Sequence, residues 1–177
     1  MVTLHDIFDV GALNKAIDDG YVTDRPDASG QLGILNYTPK AQYDNHWTDV
    51  TKACRGLIYN RETLTVVARP FEKFFNWDQG AVKYPPPGPV LRMPKMDGSL
   101  GILYPVYETR WNGGEPAEFV VDYAIATRGS MNSEQAAWAT KKYREMVEYD
   151  GAAFAFAPRE GRTYLFEIIY PENRIVV

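Results

Sequence analysis

The sequence predicts an α+β domain of antiparallel strands with helices packed outside. Short runs rich in β-branched and aromatic residues recur at 32–38, 53–60, 65–68, 119–127 and 163–170, the length and composition of strands. The turn signals between neighbours are short, such as Asp97-Gly98 and Asn112-Gly113-Gly114, so adjacent strands pair antiparallel. Helical spacing is confined to two segments, 1–20 and 133–149, rather than alternating with strands as in a parallel sheet.

Composition bounds what the domain does. A chain of 177 residues, 45% hydrophobic and 14% aromatic, has the length and apolar content of one folded domain, here 1–177. With a net charge of −4 and a pI near 5.2, any polyanion site must be a local cluster of cations. The single Cys54 excludes an internal disulfide framework, and His5 and His46 lack zinc-ligand spacing, so no metal ligand is assigned. No apolar run approaches the roughly 18–20 residues of a membrane span, and no signal-peptide pattern opens the chain. The expectation is a soluble cytoplasmic protein with no membrane partner.

In order, residues 1–20 read as a helix in which Leu4, Ile7, Phe8, Leu13, Ala16 and Ile17 recur near helical spacing and Gly20 is the stop. Residues 21–30 read as a polar loop, and 32–38 as a strand ended by Pro39. Residues 44–52 are polar around Trp47 and Val50, a turn of helix or a loop. A strand at 53–60 returns through 65–68. Tyr84-Pro85-Pro86-Pro87-Gly88-Pro89 is stiff and extended, a rigid connector rather than a ligand for an aromatic groove. The runs Pro89-Val90-Leu91 and Leu100-Gly101-Ile102-Leu103-Tyr104 flank Asp97-Gly98 and read as strand, tight turn, strand. The second runs to Val106, 111–115 is a hairpin loop, and 119–127 returns. Ser133 caps a helix through Tyr149 with Trp138, Met146 and Val147 on its buried face. Residues 163–170 form a strand, Pro171-Glu172-Asn173 turns the chain, and 174–177 starts another.

Four places carry candidate chemistry. Lys95 stands just before the Asp97-Gly98 turn and either points into a cleft or lies exposed beside it. A lysine amine is a nucleophile only when uncharged, which requires desolvation or neighbouring cations. Lys73, inside Phe71-Glu72-Lys73-Phe74-Phe75, either snorkels to solvent or meets an anion. Arg128 ends a strand within Thr127-Arg128-Gly129-Ser130, as a charged loop tip or a phosphate contact. Glu167 has apolar neighbours in sequence, and strand alternation points it inward or to solvent.

Five ordered blocks give these places a pattern. They are Cys54-Arg55-Gly56-Leu57-Ile58, Arg69-Pro70-Phe71-Glu72-Lys73-Phe74-Phe75-Asn76, Lys95-Met96-Asp97-Gly98-Ser99, Thr127-Arg128-Gly129-Ser130, and Leu165-Phe166-Glu167-Ile168 continuing to Asn173-Arg174-Ile175-Val176. Together they resemble the ATP-dependent RNA ligases of the T4 RNA ligase 1 type, which belong to the covalent nucleotidyltransferases. The resemblance runs from about Ile34 to the end. Its Lys-Phe-Phe-Asn block is the discriminating one, because Lys-x-Asp-Gly is shared with DNA ligases and capping enzymes.

The resemblance implies antiparallel sheets lining an ATP cleft, with flanking helices. It makes Lys95 the nucleophile that is adenylylated, Arg55 and Lys73 the cations that hold the triphosphate, and Glu167 the ribose-contacting carboxylate. Asp97, Gly98 and Ser99 belong to the same site, and Arg128 stands where the family more often has lysine. Lys95 would attack the α-phosphorus of ATP and release pyrophosphate. AMP would then pass to an RNA 5′-phosphate, and the 3′-hydroxyl of the other end would displace it. Mg²⁺, or Mn²⁺ in its place, would accompany the phosphates largely through water.

The chain also departs from the family. The family continues to a Glu-Gly-x-Val-like strand and a Lys-x-Lys strand, whereas this chain ends at Val177. Glu160-Gly161-Arg162-Thr163 lies upstream and lacks the apolar fourth residue, and Lys141 and Lys142 fall in a helix. The expectation is therefore the N-terminal part of such a ligase domain, incomplete at its C-terminus, with severely impaired self-adenylylation. The alternative is a nucleotide- or RNA-binding remnant without catalysis. A DNA ligase or guanylyltransferase is disfavoured by the Arg55 and Lys73 blocks.

Overall fold

In the computed structural model, residues 1–76, 88, 89, 91, 93–149, 158, 159 and 161–169 are described. Their strands pair into two antiparallel sheets. The first has the order β1 (Val22–Pro26), β2 (Leu32–Tyr37), β3 (Arg55–Asn60), β4 (Val66–Ala68). In the second, β5 (Ser99–Asn112) lies between β6 (Glu115–Thr127) and β7 (Tyr164–Ile168). The helices are α1 (Val10–Asp18), α2 (Pro39–Tyr43), α3 (Asp49–Ala53) and α4 (Glu134–Tyr149).

Strand alternation sorts the side chains into layers. Leu35, Leu57 and Tyr59 face one way, against Leu4, Phe8 and Leu13 of the N-terminal segment and Val50 of α3. Ile34, Ile58 and Ala68 face the other way and meet Ile102, Ala126 and Met131, so this second cluster joins the two sheets. Leu103, Ile125 and Ile168 emerge on the far side of the second sheet and pack on Ala139 and Tyr143 of α4. The α+β class with antiparallel sheets and outer helices is thus the observed one. Among the described residues, no helix is long and apolar enough to cross a membrane.

Local chemistry explains the helix boundaries. The helix read over 1–20 is interrupted: a 3₁₀ turn at Leu4–Asp6 precedes α1, whose first turn is capped by the Asp9 carboxylate accepting from the Ala12 N–H at 2.8 Å. Pro39 does not merely end β2; it opens α2, because a first helical position requires no N–H, and Thr38 caps that helix through Ala41. Residues 44–52 include the start of α3, capped reciprocally by Thr48 and Thr51. Ser133 does cap α4, accepting from the Ala136 N–H at 3.2 Å.

Three further expectations are corrected. The loop read over 21–30 contains β1, which pairs with β2 from Val22↔Tyr37 to Pro26↔Gly33. The β5–β6 hairpin is longer than the sequence suggests, pairing to Asn112↔Glu115 around Gly113-Gly114. Met146 and Val147 of α4 are 50% and 43% exposed, whereas Trp138 packs partly buried on the core as expected, and the buried positions among the described side chains of α4 are Ala136, Ala139, Thr140 and Tyr143.

Two contacts close sheet edges. Thr140 Oγ1 accepts from the Ile125 N–H at 2.9 Å and donates to the Ile125 carbonyl at 3.3 Å, so α4 satisfies the outer edge of β6. At the outer edge of the first sheet, the Leu4 N–H donates to the Leu64 carbonyl and the Val66 N–H to the Val2 carbonyl, both at 2.9 Å. The tip of the N-terminus thereby runs antiparallel to the chain entering β4.

Candidate anion-binding site

The site is built where β2 and β6 end and β3 begins, and where the segment after β4 crosses them. β2 ends in Tyr37, β3 begins with Arg55, and Arg128 follows the last residue of β6. A backbone hydrogen bond from the Lys73 N–H to the Lys52 carbonyl at 2.8 Å ties the crossing segment to α3. Gly56 lets the sheets approach here. Its φ is +90°, and a Cβ would stand 2.5 Å from Ile102 Cδ1 and 3.3 Å from the Arg128 backbone.

Aromatic rings hold the cations in place. The Arg128 guanidinium lies 4.9 Å from the Tyr37 ring centroid and donates to the Tyr37 hydroxyl at 2.9 Å. Arg55 donates to the Phe71 carbonyl at 3.3 Å and stands 5.0 Å from the Phe74 ring. The Lys73 ammonium lies 4.8 Å from Phe75 and 5.4 Å from Trp47. Trp47 in turn meets Tyr37 edge-on at 5.1 Å and Phe75 at 5.5 Å. Such cation–ring contacts orient a positive group without neutralising it.

Electrostatics puts Lys73 within reach of Arg55 and Arg128, and Arg55 within reach of Arg128. Burial lowers the pKa of Lys73, and Arg55 and Arg128 lower it further by repulsion. Burial is also the main cause of the lowered pKa of Arg55; Tyr37 opposes it, Arg128 adds to it, and Glu167 opposes it as the carboxylate within reach. Like charges gathered in this way are unfavourable unless a counter-charge joins them.

The remaining sequence-derived residues lie around β5 and β7. Glu167 is exposed on β7 opposite Leu100, on the face that Leu165 turns toward the first sheet. Gly98 fits tightly against β7, since a Cβ there would meet the Ile168 carbonyl oxygen at 2.5 Å and Glu167 Cγ at 3.1 Å. Ser99 begins β5, and its hydroxyl accepts from Gln135 Nε2 at 3.1 Å. Lys95 lies in 93–97, which are described and form no strand. The expected tight turn at Asp97-Gly98 is therefore corrected to an irregular lead-in to β5, while Val90 of the run read before it lies outside the described residues. The reason is visible in the residues: Pro94 withholds an N–H, and Gly98 is used for close packing rather than for a left-handed turn. Lys95 is exposed and Asp97 half-exposed.

Arg55, Lys73 and Arg128 are therefore brought together, with Glu167 in electrostatic reach of Arg55. Sequence reasoning missed Tyr37 and gave Trp47 no role in the site. The one available signal was a hydroxyl-bearing ring ending an otherwise apolar strand directly before Thr38-Pro39. The connector 84–87 and the block 173–176 lie outside the described residues. No protein-family model matches the chain, and no curated protein matches it.

Proposed function

We propose that the chain is an ATP-binding part of a covalent nucleotidyltransferase acting on RNA, an RNA ligase whose sheets line the nucleotide cleft. One observation supports it most: three cations from separate elements converge around Tyr37 and Trp47, where Arg55 and Arg128 lower the pKa of Lys73 and Arg128 adds to the lowering of Arg55, an arrangement that a polyphosphate relieves. In this reading Arg55, Lys73 and Arg128 take the triphosphate oxygens, and Glu167 takes the ribose hydroxyls. The packing of Gly98 against β7 then fixes the lead-in carrying Lys95 relative to Glu167. The Lys95 amine attacks the α-phosphorus, a P–N bond forms with loss of the amine proton to solvent, and the bond to the β-phosphate oxygen breaks as pyrophosphate leaves. A 5′-phosphate oxygen of RNA takes the AMP and frees Lys95, and a 3′-hydroxyl then displaces AMP.

Among the described residues, no cluster of three or more His, Cys, Asp or Glu side chains is placed to hold a metal. A divalent ion carried by phosphate oxygens and water fits this donor set, with Glu167 as the nearby carboxylate. Such an ion supplies charge screening of the phosphates.

A second reading is supported by the exposure of Lys95: nucleotide binding without covalent transfer. Incubation with α-phosphate-labelled ATP and Mg²⁺, followed by denaturing electrophoresis, separates the two. A label that survives denaturation and is absent from Lys95→Ala carries the first reading, at whatever yield. ATP binding with no label carries the second, and no ATP binding sinks both.

A further inference from the structure

Beside the cation cluster, on the α2 side of Tyr37, lies an open depression of about 190 Å³. Its walls are Asn36, Tyr37, Pro39, Gln42, Tyr43 and Arg128. Tyr37 and Arg128 are thus shared between this depression and the anion site. Four observations distinguish it from an ordinary surface dimple. Tyr43 is 86% exposed although it is a large ring, and it is the last residue of α2. Gln42 stands beside it, exposed, with an amide able both to donate and to accept. Asn36 Oδ1 is a buried acceptor with no hydrogen-bond partner among the described residues, a costly state for a polar atom. Arg128 uses one N–H on Tyr37, and a guanidinium has five.

An exposed ring, two side-chain amides and a guanidinium at one edge are the groups that read an unstacked base and its phosphate. We propose that this depression takes one nucleotide of single-stranded RNA, with its base on Tyr43, its polar edge toward Gln42 and Asn36, and its phosphate on Arg128. The inference rests on the RNA-directed reading above and gives it a strand-docking site next to the triphosphate. Arg128 would then face two anions, one on each side. Such a position suits a step in which a strand end approaches a bound nucleotide.

The test uses the 177-residue chain and a fluorescein-labelled oligoadenylate with a 5′-hydroxyl, which cannot accept AMP. Anisotropy at low salt gives its affinity; ATP binding and lysine labelling are measured separately. Tyr43→Ala and Gln42→Ala are surface changes at exposed positions. They are expected to weaken oligoadenylate binding about fivefold to a hundredfold for the Tyr43 change, the range for one stacked base, and less for Gln42. ATP binding should be unchanged in both. A duplex of the same length should bind more weakly, because its bases are not available for stacking.

Oligoadenylate binding that is equal in wild type and both variants overturns the proposal, as does wild type that binds no oligoadenylate. A loss of ATP and oligoadenylate affinity together in Tyr43→Ala also overturns it, since the depression would then belong to the ATP site. Failure of the underlying ligase reading looks different: oligoadenylate binding sensitive to Tyr43 but no ATP binding and no labelled lysine.

Discussion

Lys73 is the residue whose behaviour most directly reports what the cluster is for. Its ammonium is held between Trp47 and Phe75 while burial, Arg55 and Arg128 lower its pKa. The unfolded chain therefore holds this proton more tightly than the folded one. As pH rises through the lowered folded pKa toward the ordinary lysine value, the penalty of keeping Lys73 charged is relieved and stability rises. A bound polyphosphate has the opposite preference and favours the charged form. Carbon-13 NMR of the lysine ε-carbons should show one lysine titrating below the rest, absent in Lys73→Ala, and moving upward when ATP and Mg²⁺ are added. A resonance that does not move would remove Lys73 from the anion site. Lys73→Ala and Arg55→Ala should each weaken ATP binding about tenfold to a hundredfold, as expected for a lost charge-assisted hydrogen bond, measured by calorimetry. Cys54 makes the contrasting case: burial, with a smaller contribution from Asp24, pushes its thiol up to about 12. It should resist a thiol reagent at pH 8 in the native protein and react fully in denaturant.

Single elements carry the next set of consequences. Thr140 joins α4 to the edge of β6 through both backbone groups of Ile125, in a buried place. Thr140→Val keeps the shape and removes both partners, so it should cost about 1–3 kcal/mol in urea denaturation, with Thr140→Ser milder. Gly56→Ala combines positive φ with a clash on Ile102 and should cost about 2 kcal/mol or more. The elements also show what sequence patterns can and cannot carry. β2, β3 and β4 were legible because short continuous apolar runs, buried on both faces in β2 and β3, stood between turn signals and Pro39 marked an end. β1 was not, since its burial fades from Val22 outward to Pro26, leaving one apolar anchor in a polar string. α4 was legible through Ser133, and Trp138 packs partly buried against the core as read, but the fully buried positions go to smaller residues such as Ala136 and Ala139 while the bulkier Met146 and Val147 face water. The cations Arg55, Lys73 and Arg128 were legible as single residues. Their convergence depends on Tyr37 and on the approach of β3 to β6 at Gly56, which are tertiary facts without a local signature.

At the scale of the whole molecule, the two sheets press their inner faces together through Ile34, Ile58, Ile102 and Ala126, and the cation cluster sits at one end of that seam. An acidic chain of net charge −4 repels polyanions at long range, so attraction must be short-ranged and confined to this end. Binding of ATP should therefore weaken with added salt, and Arg128→Glu should weaken it far more than reversing an exposed charge elsewhere, such as Lys15→Glu.

The same architecture gives the first residues a duty unrelated to nucleotides. Val2 and Leu4 form hydrogen bonds with the chain at Leu64 and Val66, so they occupy the rim that a neighbouring molecule would otherwise find open. A chain lacking residues 1–4 would both lose Leu4 from the interior and leave the Leu64 carbonyl and the Val66 N–H unpaired at the sheet edge. Such a trimmed protein should form larger species as its concentration is raised, visible by sedimentation, while the intact chain does not. Residues 2–4 thus act as a guard against self-association at that edge.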